Sequence, residues 1–543
     1  MISLKKIQKW MQENNKDIFL INRTDEFLGE SIASYAERLK WISNFSGSAG
    51  RAIIEQDKAY IFIDGRYVDQ ANQEVNVNFF QIKHLQNYWS HLQQYKNYKK
   101  IIILDPSLHS IKEVEKIQKI FIKSKIILNF LKKNPIDLYW VDQPPYPNSK
   151  AFIHDDKYAG NNISNKINKI QKILQSKSID FYLLNSLDSI AWLLNLRGDD
   201  IKHTPLLYCN IVIPNQGKIE LFIEKFKIDH LIDSLSDFIN YHSYEALDEY
   251  LLSINLSKTI GMDEDSTSYY FKNICKNFGL NISYLENPCL YFKAIKNEIE
   301  LNGARKANLR DGVSVTKFIY WLKNTINVKE IDEIKAAEYL YNMRKKNDLF
   351  YSLSFDTISA FGPHAALPHY RVNADSNLSF SENSIYLFDS GAQYKDGTTD
   401  ITRTVSIGNP TDEQKDRFTR VLKGHIAIAK TAFTDSTRGS SIDPLARKSL
   451  HEINCDYDHG TGHGVGSFLS VHEGPQRITK SKNKKDAYLQ AGMILSNEPG
   501  YYKSGEYGIR IENLIICSAK DKLSKKLLSF ETISWAPIDK ELI

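Results

Sequence analysis

The sequence predicts an α/β protein made of two related domains in tandem, followed by a third domain that carries the chemistry. Three observations predict it. The chain has 543 residues, room for three or four domains at about 150 residues each. The pattern W-x-x-N-x-x-G occurs twice, as Trp41, Asn44, Gly47 and as Trp192, Asn195, Gly198, one domain length apart. Each copy follows a helix-like segment and precedes two β-rich runs with a turn between them, RAIIEQDKAYIFID and LLYCNIVIPNQGKIELFIE.

The N-terminal stretch MISLKKIQKWMQENNKDIF is charged throughout and lacks an apolar export core, so it predicts a surface helix. The first domain is placed at residues 1–150. It ends in NPIDLYWVDQPPYPNSKAF, where X-Pro steps favour an extended linker. The second domain begins near Asn161 and runs to residue 293. The third, 294–543, opens with a long helix in KAIKNEIELNGARKANLRDGVSVTKFIYWL, where apolar and small residues recur at helical spacing. Beyond residue 350 short β runs alternate with Gly and Asp turns.

Composition narrows the function. Apolar residues make up 42% and charged residues 25%, the balance of a folded chain. A surplus of five basic residues over this length is too dilute for a nucleic-acid footprint. Apolar runs such as IAWLLNL at 190–196 fall short of the roughly 18 residues a membrane span needs. Cys209, Cys275, Cys289, Cys455 and Cys517 are odd in number and form no CxxC pair, which fits a reducing, cytoplasmic setting. GSAG at 47–50 is a turn and not a phosphate loop, since no GK[ST] follows. The lysine run SKNKK at 481–485 reads as a solvated loop.

SIYLFDSGAQYKDGTTDITRTVSIG places Asp389 at the end of an apolar strand and returns through an Asp396-Gly397 turn to a Thr-rich strand holding Asp400. His463 in DHGTGHGVG, Glu498 in ILSNEPGYY and Glu512 in GIRIENLII each sit beside glycine or on a strand. Taken singly, each has a plain reading: Asp389 as a cap or turn former, Glu512 as a strand glutamate paired with Arg510 two residues away. Taken together, they predict a metal site. Four converging carboxylates repel in a partly desolvated cleft, and two divalent cations between them would balance four negative charges with four positive ones. An oxygen-rich shell with one imidazole suits manganese foremost, with cobalt, iron or zinc able to substitute. A water between two such ions ionises near neutral pH, so amide hydrolysis is the expected reaction.

DSGAQYKDGTTDITRT, HGTGHGVGSFLSVHEGP, NEPGYY and GIRIEN resemble the signature segments of the pita-bread metallopeptidases. NFSGSAGRAII, IDGRY and DSIAWLLNLRGDDI resemble the creatinase/prolidase-type N-terminal domains of the cytosolic three-domain Xaa-Pro aminopeptidases in that family. The resemblance spans about the whole chain. It implies two creatinase-like α/β domains followed by a pita-bread catalytic domain. It implies that Asp389, Asp400, His463, Glu498 and Glu512 bind two manganese ions, Asp400 and Glu512 bridging them, and that Glu498 shuttles the proton to the leaving nitrogen. It also implies that His369, His459 and His472 contact the substrate carbonyl, the transition state and the proline ring, while Tyr502 and Arg510 support the ligands. The implied substrates are peptides with proline at position two, and the implied assembly is a homodimer. Methionine aminopeptidases lack two such preceding domains. Prolidase, an Xaa-Pro dipeptidase, is the nearer alternative, and a non-catalytic peptide-binding module would have lost ligands that are all present here.

Overall fold

Two sheets of identical connectivity underlie the internal repeat. The structure, a computed structural model, describes residues 2–325, 327–481, 486–520 and 527–543. The lysine run read as a solvated loop lies, from residue 482 on, outside the described residues. Contacts group the chain into two units, one of residues up to 153, 162–202 and 206–289, the other of 154–161, 203–205 and 290–543.

The first unit opens with the amphipathic helix Ile2–Glu13, which buries Leu4, Ile7 and Met11 on one face, as its sequence predicts. Its first sheet contains Ile18–Asn22, Gly50–Glu55, Ala59–Ile63, Gln81–His84, Ile101–Leu104 and Ile127–Phe130, in the spatial order four-three-two-one-five-six. Its second contains Phe181–Leu184, Asn210–Pro214, Ile219–Phe222, Ile239–His242, Thr259–Met262 and Asn281–Tyr284 in the same order. In both, the first three strands pair antiparallel and the remaining pairs are parallel. Both predicted hairpins are therefore present.

The W-x-x-N-x-x-G repeat has a backbone cause. Trp41 and Trp192 lie on the helices Arg38–Ser43 and Leu187–Leu193. Asn44 and Asn195 follow them with φ of 66° and 48°, the left-handed conformation that asparagine tolerates at a helix end. A Cβ on Gly47 would lie 2.2 Å from the ring of Phe45, and one on Gly198 2.2 Å from the side chain of Leu207. The asparagine and the glycine are thus set by one helix ending and one close approach.

In the second unit the long helix Glu298–Asn324 is capped by Asn297, whose side chain accepts from the backbone of Glu300 while Glu300 accepts in return. Its buried face includes Leu301, Ala304, Val315, Phe318 and Leu322. Phe318 packs edge-on against Phe388, ring centroids 5.0 Å apart. At Gly303 the helix touches the following turn so closely that a Cβ would meet the carbonyl of Asp396 at 2.2 Å.

Phe388 belongs to the strand Ser384–Ser390, which lies between Ile358–Phe361 and Ile401–Ile407 in an antiparallel sheet. A second antiparallel sheet orders Ala432–Thr434, Leu527–Thr532, Asn513–Ala519, Ile494–Asn497, Gly462–Gly464 and Glu473–Ile478. One expectation is corrected. Asp400 does not lie on the Thr-rich strand; it precedes Ile401–Ile407, because the short pair Ala392–Tyr394 and Gly397–Thr398 closes the hairpin first. All five cysteines are free thiols. Among the described residues no helix is long and apolar enough to cross a membrane.

Candidate metal centre

The five residues read as ligands arrive on five segments and meet. Asp389 stands one residue before the end of its strand, opposite Thr402 in register. Asp400 follows on the return. His463 lies in the strand Gly462–Gly464, Glu498 directly after Ile494–Asn497, and Glu512 between Tyr507–Arg510 and Asn513–Ala519. Ligand atoms of Asp400, His463 and Glu512 lie within 4.8 Å of one another. Nε2 of His463 is 3.4 Å from Asp400 Oδ2 and 3.4 Å from Glu498 Oε1. Asp400 is buried, with 4% of its side chain exposed, whereas His463 keeps 22% and Glu498 17%, so the cluster opens on one side.

Backbone bonds set this arrangement. The N–H of Glu512 donates to the carbonyl of Thr402 at 3.1 Å, and the Thr402 hydroxyl donates to Glu512 Oε2 at 2.7 Å. The N–H of His463 donates to the Ser496 hydroxyl at 2.9 Å, which donates to Glu498 Oε1 at 3.0 Å. Nδ1 of His463 is 2.9 Å from the carbonyl of Gly464, which fixes the ring so that Nε2 faces the carboxylates. Sequence reasoning missed Thr402 and Ser496. The alternation of Thr402 and Thr404 around Arg403 was the signal, since period two puts both threonines on one face.

Arg510 takes a different partner from the one its spacing suggests. Its Nη2 donates to Asp389 Oδ2 at 2.7 Å, its Nη1 to the Tyr502 hydroxyl at 2.7 Å and its Nε to Thr402 Oγ1 at 3.2 Å. Nε2 of His459 lies 2.8 Å from the same Tyr502 hydroxyl, and Nδ1 of His459 lies 2.8 Å from the carbonyl of Gly460. His459, Tyr502, Arg510 and Asp389 therefore form one chain. His472 sets its ring edge-on to His463, centroids 4.4 Å apart. His369 stands half-buried on a separate segment, the connection between Ile358–Phe361 and Ser384–Ser390.

The electrostatics favour positive charge at this place, supplied by protons or by a cation. Burial, with the charges of Asp389 and Glu498, pushes Asp400 up to about 6 even though His463 opposes the rise. Burial and the charges of Asp400, Asp389 and Glu498 push Glu512 well above the carboxylate range. Burial would lower the pKa of His463, but Asp400 and Glu498 hold it at about 9. Asp389 Oδ1 and Asp400 Oδ1 are buried with no hydrogen-bond partner. Buried carboxylate oxygens are rarely left so. Two orphaned carboxylate oxygens beside an imidazole whose Nε2 is turned toward them are the donor set that one or two divalent cations complete, displacing the imidazole proton.

Residues 302–519 match the group described as metallopeptidase family M24, and residues 4–130 and 142–300 each match a creatinase/prolidase N-terminal domain. A protein of Laccaria bicolor named "Probable Xaa-Pro aminopeptidase P" is 37% identical over 99% of this chain and 86% of its own length. The chain belongs to metallopeptidase family M24. Another M24 relative of the same name, from Coprinopsis cinerea, is 36% identical over 99% of this chain and 90% of its own. Among solved structures, the X-prolyl aminopeptidase of Caenorhabditis elegans, described as a cytosolic enzyme with a di-nuclear active site, superposes with a TM-score of 0.93. It is 30% identical and covers all of this M24 chain and 92% of its own. The Xaa-Pro dipeptidase of Bacillus anthracis shares the fold over 70% of this chain, at a TM-score of 0.56 and 23% identity. The chain thus comprises two creatinase-type N-terminal domains followed by an M24 pita-bread domain.

Proposed function

We propose that this chain is a metal-dependent aminopeptidase that hydrolyses the bond between an N-terminal residue and a penultimate proline. The observation that carries the reading is the close approach of Asp400, His463 and Glu512, with Glu498 beside His463 and a buried oxygen of both Asp389 and Asp400 left unpaired. Asp389, Asp400, His463, Glu498 and Glu512 would hold two divalent ions, manganese foremost. When bound, such ions lower the pKa of a water and polarise a carbonyl.

The residues divide the remaining work. Glu498, the ligand that keeps solvent access beside His463, accepts the proton of the attacking water and delivers it to the leaving nitrogen. His459 donates to or accepts from Tyr502, so its position is tied through Arg510 to Asp389. His369 contacts the scissile carbonyl, His459 the charge that develops there, and His472, beside His463, the proline ring. Tyr502 and Arg510 orient the ligands. Proline's nitrogen has no proton in the substrate, so a site that accepts the ring without offering an acceptor for an amide N–H favours it.

The domains supporting this site are read as residues 1–150, 161–293 and 294–543, in a cytoplasmic homodimer. The deciding assay compares Arg-Pro-Pro, Arg-Ala-Ala and the dipeptide Arg-Pro, each with manganese and with chelator. Manganese-dependent release of arginine from Arg-Pro-Pro but not from Arg-Ala-Ala is expected. Cleavage confined to Arg-Pro would make the chain a prolidase, and inertness toward all three would make it a binding module.

A further inference from the structure

A carboxylate outside the metal centre closes the loop that carries His369. Glu333 is the first residue of the helix Glu333–Lys345 and is fully buried. Its Oε1 accepts from the backbone N–H of Phe361 at 2.7 Å and lies 2.9 Å from Nδ1 of His364. Its Oε2 accepts from the Tyr370 hydroxyl at 3.1 Å and from the backbone N–H of Leu378 at 3.0 Å. The imidazole of His364 stacks on the ring of Tyr370, centroids 4.3 Å apart at 26°. Residues 361, 364, 370 and 378 span the connection from Ile358–Phe361 toward Ser384–Ser390, and all four converge on one side chain.

His369 lies inside that closed connection, five residues after His364 and directly before Tyr370. Its main chain is therefore pinned on both sides by groups bound to Glu333. A buried carboxylate is costly unless its oxygens are paired, and here the same donors that satisfy it hold the loop. Nothing in the reaction requires a carboxylate at this place.

We propose that Glu333 and His364 are positioning residues for His369, holding its imidazole against the scissile carbonyl without touching substrate. The proposal rests on the reading of His369 as a substrate contact. Displacements of about 1 Å in such a group lower rates by as much as about a hundredfold, so a loosened loop is measurable.

The test is a double-mutant cycle on the full-length, manganese-loaded enzyme with Arg-Pro-Pro. Glu333→Gln, His364→Asn and His369→Ala, and each of the first two combined with the third, are compared by kcat, KM, bound metal and Tm. Glu333→Gln is expected to lower kcat/KM about tenfold or more with metal content unchanged. In the His369→Ala background it is expected to cost less than about twofold, because the group it positions is gone. Equal losses in both backgrounds, or a lowered Tm with kcat/KM intact, would overturn the proposal alone. Wild-type kcat/KM in His369→Ala would overturn the reading of His369 and the proposal with it. If Glu333→Gln does not fold, His364→Asn carries the same cycle, since it leaves the carboxylate and its three other donors in place.

Discussion

Nη1 of Arg403 donates to the main-chain carbonyl of Glu512 at 2.6 Å, and the guanidinium is fully buried with oxygen acceptors that are all uncharged. Nη1 also donates to the carbonyl of Thr402, Nη2 to the carbonyl of Ala536 and to Asn513 Oδ1, and Nε to the carbonyl of Pro537. All five N–H donors of the fork are used. Burial lowers its pKa to about 10, partly offset by the charge of Glu512, so it stays charged at neutral pH. A fixed cation thus sits behind the ligand loop and ties it to the segment at 536–537.

Arg403→Met should leave several buried carbonyl groups unpaired and cost about 3 kcal/mol or more. Urea unfolding measures this as a lower midpoint. The same variant should bind manganese more weakly in titration calorimetry; unchanged stability and affinity would deny Arg403 this bracing role.

Arg510→Lys keeps a charge and loses the fork that reaches Asp389 and the Tyr502 hydroxyl together. Activity on Arg-Pro-Pro should fall about 10- to 100-fold, as for other groups that orient metal ligands. Metal content of the purified variant, read by elemental analysis, separates lost ions from misplaced ones.

Gly391 lies between Asp389 and Asp400, the two aspartates proposed as ligands, where an added Cβ would come 1.9 Å from the carbonyl of Thr399 and 2.3 Å from Ser354 Oγ. Thr399 directly precedes Asp400, so Gly391→Ala should displace that ligand. The expected cost is about 1–3 kcal/mol of stability from overpacking, with weaker metal binding; a variant with wild-type Tm and metal affinity would refute it.

His425 is buried, its Nδ1 3.0 Å from the carbonyl of Asn497 and its Nε2 3.1 Å from the amide nitrogen of Asn513. Burial and then the charge of Arg403 lower its pKa from 6.5 to about 4. The unfolded chain takes up this proton near pH 6.5 and the folded chain does not until about pH 4. The stabilisation is therefore whole above pH 6.5 and is lost as pH falls toward 4, by about 3 kcal/mol over the window. Urea midpoints from pH 7 to 4 should show a shallower decline in His425→Gln than in the wild type; parallel curves would contradict the assignment.

Chelation should lower Tm as well as abolish activity, because four carboxylates then face one another without cations. Restored manganese at a hundred times its dissociation constant should return about 2.7 kcal/mol per site. Calorimetry with and without chelator reads the shift, and an unmoved Tm would show that ions add nothing to the fold.

Local patterns made much of this legible. The two hairpins follow from β-rich runs broken by turns, the long helix from its spacing and its Asn297–Glu300 cap, and the repeat from two left-handed asparagines. The clustered acids and imidazole were legible as a set, since each sits in a glycine-flanked or strand-end segment although none is distinctive alone. The plain reading that pairs Arg510 with Glu512 does not hold, since Arg510 donates to Asp389. Spacing of two puts side chains on one face only while a strand continues, and the strand Tyr507–Arg510 ends before Glu512, which turns to Thr402 instead. Glu333, His364, Arg403 and His425 carried no signal, since a lone acid, base or histidine in a helix or strand looks like ordinary surface.

The amino-acid order by itself determined which acids and imidazoles are offered to a metal site and the elements they ride on, because strand and helix periods act over a few neighbours. Only the tertiary structure decided who braces them. The bonds from Arg403 to Glu512, Arg510 to Asp389 and Glu333 to Tyr370 join residues 109, 121 and 37 positions apart. Distances of that kind arise when packed sheets and helices bring remote side chains into one desolvated volume, where each buried charge must find its partners.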